Sequence, residues 1–116
     1  MKKPFALMLT TFTTAAVAGA NTTWGVPTQV DVVRGEGMMI YGSFGNPGGC
    51  SVADKFFVPI NTTQYSQIYA AVLTAMASGK EISAYVASCT PLGWYAVLST
   101  TYNQVTGSEA VYMRNP

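Results

Sequence analysis

The chain contains no histidine. That absence removes the commonest general base and a frequent metal ligand. Ser-His-Asp and Cys-His catalytic arrangements are excluded with it. Charge is scarce as well: Asp, Glu, Lys and Arg make up 9% of 116 residues. After Lys2 and Lys3 the basic residues are isolated, at Arg34, Lys55, Lys80 and Arg114. Binding to a phosphate backbone or an anionic membrane surface needs clustered Lys and Arg, so neither nucleic acid nor a lipid surface is an expected partner. Cysteine occurs twice, at Cys50 and Cys89, too few for a zinc site without histidine. No cofactor is expected.

The carboxylates Asp31, Glu36, Asp54, Glu81 and Glu109 stand singly or beside a base. Glycoside hydrolysis needs two of them facing across a cleft. Asp31 and Glu36 flank a candidate hairpin and could approach each other, but both read as solvated surface groups. The glycine-rich stretches 35–37 and 45–49 lack the Lys-Ser/Thr partner of a phosphate loop. The sequence is that of a protein without catalytic machinery.

The N-terminus has the grammar of a secretory signal. Lys2 and Lys3 precede an uncharged, apolar stretch over 5–18, and Ala18-Gly19-Ala20 fits a small-x-small cleavage site. Residues 1–20 are read as the signal peptide and 21–116 as one domain. The apolar stretch is short and diluted by threonine, where a spanning helix needs about 20 strongly apolar residues. The mature chain is therefore expected to be exported, periplasmic or secreted, and not membrane-spanning. Without Lys2 and Lys3 it is slightly acidic. In an exported chain two cysteines read as one disulfide, Cys50 to Cys89, rather than a reactive thiol or a metal pair.

The rest reads as mostly β with one helix. Residues 28–34 and 38–44 alternate about Gly35-Glu36-Gly37 as a hairpin. Pro47-Gly48 suits the centre of a type II turn within the loop 45–51. Residues 55–60 form a third strand that Pro59 ends or pushes to an edge. Tyr65, Ile68, Tyr69, Val72, Leu73 and Met76 have the spacing of an amphipathic helix, with Asn61, Thr62 and Thr63 as candidate N-caps and Gly79 at its end. Residues 81–88 follow as a strand, 90–93 as a turn, 94–102 as a long strand, 103–107 as a break and 110–113 as a last short strand. The order β-β-β-α-β-β is that of an OB-fold-like small barrel.

Several stretches carry a resemblance: Asn46-Pro47-Gly48-Gly49-Cys50, the helix, Gly79-Lys80-Glu81-Ile82 through Tyr85-Val86 to Cys89, and Trp94-Tyr95-Ala96-Val97. With them the chain resembles a group of small exported bacterial single-disulfide proteins. More distantly it resembles the binding subunits of AB5-type toxins of the subtilase and pertussis-like kind. That likeness implies an OB-fold, a ring of subunits and glycan binding, and it supplies no site residue.

Two surfaces are candidates for function. A sugar site needs a flat apolar face and a few amides or hydroxyls. Tyr41, Asn46, Ser51, Trp94 and Tyr95 lie where the disulfide would gather them, and they are the candidate ligand-binding residues. The helix over 63–78 is the second. Its remaining face reads Gln64, Gln67, Ala70, Ala71, Thr74, Ala75 and Ser78, with no charge from Thr62 through Gly79. Small uncharged residues let another helix approach, so this face is expected in a homo-oligomer interface. The function expected is that of an exported binding module, for a glycan or, in the alternative, as a protein-interaction or inhibitor domain of the envelope.

Overall fold

A computed structural model of the chain describes residues 19–33, 35–92, 99–105 and 110–116. The expected signal segment up to residue 18 lies outside them, as do Trp94, Tyr95 and Arg34. The described chain is mostly β with a single helix: β1 (Ala20–Asn21), β2 (Gln29–Val33), β3 (Gly37–Tyr41), β4 (Lys55–Pro59), α1 (Tyr65–Ser78), β5 (Glu81–Val86), β6 (Ser88–Pro91), β7 (Thr101–Gln104) and β8 (Val111–Arg114).

Two sheets result, one of order β1-β5-β8 and one of order β2-β3-β4-β7-β6. β2, β3 and β4 form an antiparallel meander, β4 runs parallel to β7, and β7 pairs antiparallel with β6. The segment before β2 is tied to β5 through Ala20 opposite Val86, Asn21 opposite Tyr85, and Gly25 opposite Ile82. One residue, Ala87, separates β5 from β6, so a nearly continuous strand serves both sheets.

Alternation in the sequence fixes which side chains are buried. Met38 and Ile40 enter a core with Phe44, Phe56, Val58, Ile82, Ala84, Val86 and Val105. The rings of Phe44 and Phe56 meet edge to face, with centroids 4.9 Å apart. The opposite face of the same sheet buries Met39, Phe57, Leu92 and Tyr102. A two-sided apolar sheet explains why residues 38–40 and 56–58 are apolar at every position.

The helix has the expected bounds, but its setting differs in two respects. Its N-cap is Gln64, in the left-handed region at φ 62 and with no side-chain cap, and not Asn61, Thr62 or Thr63. Backbone bonds do the capping: Thr62 N–H donates to Pro59 O at 3.0 Å and Tyr65 N–H to Thr62 O at 3.1 Å. The helix is also rotated from the expected face. Ile68, Val72 and Ala75 are buried, while Leu73 and Met76 are exposed. Ala75, expected on the outer face, faces the core because its small side chain lets the helix approach closely.

Two loop expectations are corrected. Thr90 and Pro91 belong to strand β6, and Asn103 and Gln104 to strand β7. Four consecutive pairs, from Ser88 opposite Gln104 to Pro91 opposite Thr101, override the local turn preference of these residues. Pro59 ends β4 without placing it at an edge, since β7 pairs only at Phe56 and Phe57.

Candidate functional site

The region the sequence singled out is a clasped loop. Gly45 N–H donates to Asp54 Oδ1 at 2.9 Å and Asp54 N–H to Gly45 O at 2.8 Å, which closes 45–54 at its base. The disulfide Cys50–Cys89 joins the loop to β6, with Cα atoms 5.5 Å apart. Beneath it lies Asn103, fully buried. Its Oδ1 accepts Gly48 N–H at 2.8 Å, and its Nδ2 donates to Asn46 Oδ1 at 3.0 Å. Asn103 Oδ1 also lies 3.4 Å from Cys50 Sγ.

This arrangement engages the expected ligand-binding groups with the protein itself. Asn46 Nδ2 donates to Cys50 O at 2.7 Å, and its Oδ1 accepts Cys50 N–H at 2.9 Å. Ser51 Oγ accepts Thr101 N–H at 2.6 Å and donates to Thr101 O at 3.2 Å. Tyr41, at the end of β3, donates its hydroxyl to Asp31 Oδ2 at 2.8 Å, and Lys55 Nζ stands 4.3 Å from its ring centre. Cross-strand register makes that ladder, since Gln29, Tyr41 and Lys55 lie opposite one another on β2, β3 and β4. Asn46 and Ser51 share the loop, Tyr41 stands apart in its ladder, and Trp94 and Tyr95 lie outside the described residues.

A different place gathers unengaged polar groups. A groove of about 470 Å³ opens where the β2–β3 turn, the end of β4 and the β6–β7 pair meet. Glu36, Asn61, Thr90 and Gln104 line it beside apolar walls that include Pro59 and Ile60. Among the described residues no side-chain hydrogen bond holds any of these four, in contrast to Asn46, Ser51 and Asn103. The walls are set by backbone bonds: Ile60 N–H donates to Glu36 O at 2.9 Å, and Glu36 N–H to Val33 O at 3.0 Å. Phe57 and Leu92, both buried, contribute to the lining. Glu36 is the one charged residue among the described lining residues.

Sequence reading passed over this site because each residue had a local explanation. Glu36 read as a hairpin turn, Asn61 as a helix cap, Thr90 as a turn and Gln104 as part of a break. The signal available was that all four are polar residues at strand ends.

Asp31 and Glu36, the one carboxylate pair considered, serve different places: Asp31 bonds to Gln29 Nε2 at 2.9 Å and to Tyr41, while Glu36 lines the groove. Burial pushes the phenols of Tyr65 and Tyr102 above their ordinary value, and the neighbouring Tyr69 adds to the effect at Tyr65. Among the described residues, no three His, Cys, Asp or Glu side chains gather as a metal site, and no helix is long and apolar enough to cross a membrane. No family model, curated protein or solved structure matches the chain.

Proposed function

We propose that this protein is an exported, non-catalytic binding module that takes a glycan in the groove between the β2–β3 turn and β6. The observation that carries the reading is the convergence on a groove with apolar walls of Glu36, Asn61, Thr90 and Gln104, whose side chains make no hydrogen bond among the described residues. Amides, a hydroxyl and a carboxylate match the vicinal hydroxyls of a sugar, and Pro59 and Ile60 suit its apolar ring faces. With Glu36 as the only charge among the described lining residues, the favoured glycans are neutral or amino-bearing.

The strand order supports the OB-like part of the reading: a three-strand meander, one helix, β4 parallel to β7, and the N-terminal segment bonded to β5. The disulfide supports export, because such bonds persist in oxidising compartments. A glycan array probed with residues 21–116 tests the function. Binding of a neutral or amino sugar that N61A and Q104A abolish is expected; no glycan signal, or a signal indifferent to both variants, defeats it.

A second reading, an envelope protein-interaction domain that self-associates, rests on a separate observation. Leu73 and Met76 present apolar surface on the helix, each 36% exposed. Part of the small-residue face instead borders the chain's own C-terminal segment, where Gln64, Gln67 and Ala71 line a hollow of about 170 Å³ with Ala110 and Val111. Light scattering at tens of micromolar separates the outcomes: a strict monomer removes the homo-oligomer and the toxin-subunit analogy with it.

A further inference from the structure

The polar groove has an apolar neighbour. A second hollow of about 260 Å³ is lined by Val32, Val33, Ile60, Tyr65 and Tyr69, and shares Gly35 and Ile60 with the groove. None of its described lining residues is charged. Its rim is open to solvent, with Val32 64% and Ile60 53% exposed.

Gly35 lines both hollows. Its chain neighbours apart, no described heavy atom lies within 4 Å of where its Cβ would stand, and its φ of +72° disfavours any side chain there. The shared wall therefore carries no side chain at this residue, and a ligand can run from one hollow into the other.

We propose that the two hollows bind one amphiphilic ligand: a sugar head group in the groove and an alkyl or aryl aglycone in the apolar hollow. This rests on the reading of the groove as a glycan site. The physical reason lies in what each half can contribute. A sugar in an open groove exchanges hydrogen bonds with water for hydrogen bonds with protein, a nearly balanced trade. Displacing water from the apolar surface of Val32, Ile60 and Tyr69 is not balanced, and it supplies the affinity the head group lacks. Continuity through Gly35 and Ile60 makes a tail attached to the sugar the fitting occupant, rather than a separate apolar molecule.

Titration calorimetry on residues 21–116 tests this with methyl and hexyl glycosides of glucose, galactose and N-acetylglucosamine. The hexyl glycoside of a recognised sugar should bind about tenfold tighter than the methyl glycoside or better, which is what burying about two methylenes provides. V32S and Y69A should each reduce that gain while leaving methyl glycoside binding in place. V32S, at an exposed position, keeps the test valid if Y69A fails to fold. Equal binding of methyl and hexyl glycosides overturns the amphiphile and leaves the glycan reading standing. A hexyl gain untouched by V32S and by folded Y69A also overturns it, because the tail then lies elsewhere. Absence of binding by every glycoside overturns both.

Discussion

Asn103 and Asn46, 57 positions apart in sequence, are joined by a hydrogen bond of 3.0 Å beneath the disulfide. Asn103 is fully buried and also holds Gly48 N–H. Removing its amide leaves buried donors and acceptors without partners. N103A should cost about 1–3 kcal/mol for each group so orphaned. Urea denaturation measures the loss, and hydrogen exchange should place it first in residues 45–51.

Gly48 is required by that same contact. A Cβ there would stand 2.7 Å from Asn103 Oδ1, 3.1 Å from Cys50 Sγ and 3.3 Å from Cys89 Sγ. Asn103 is buried and held by its amide hydrogen bonds, and both sulfurs are tied in the disulfide. G48A should destabilise by about 1–3 kcal/mol through overpacking, and combined with N103A it should cost less than the sum. A double-mutant cycle in urea checks the coupling.

The disulfide closes a loop with a sequence separation of 39, worth about 4 kcal/mol in the chain-entropy account. C89S should lower stability by about 2–5 kcal/mol. An unchanged melting temperature would show the bridge to be marginal.

The groove variants should behave oppositely. Glu36, Asn61 and Gln104 make no side-chain hydrogen bond among the described residues, and Glu36 and Asn61 are exposed. E36Q, N61A and Q104A should each change stability by less than about 0.5 kcal/mol while weakening glycan binding. A variant that lost binding and stability together would mark its residue as structural.

The two raised phenols set an alkaline limit. Tyr65 and Tyr102 titrate above 10.0 in the fold because burial disfavours the phenolate. Their contribution is fully present below the unfolded value and is lost as pH rises through the folded values. Stability should be level up to about pH 9 and fall above about pH 10. Y65F should flatten the fall, as read by denaturation across that range.

Periodicity carried the helix, the β2–β3 hairpin and the burial of Ile82, Ala84 and Val86, since each depends on side-chain spacing along a few residues. The helix rotation was not legible. Leu73 and Met76 are more apolar than Ala75, yet Ala75 is the residue that fits against the sheet. Hydrophobicity ranks side chains, while close approach selects small ones.

Residue counts and local sequence pattern determined the cysteine pairing, the mostly-β content and the want of histidine chemistry, because each follows from composition or short-range preference. Tertiary structure decided which polar residues are spent and which are free. Asn46 and Ser51 looked available and are bound to their own chain, whereas Glu36, Asn61, Thr90 and Gln104 looked like turn, cap and break residues and line the groove. A hydrogen bond across 57 positions has no local signature. It exists only because β7 runs parallel to β4 and brings Asn103 beneath the loop.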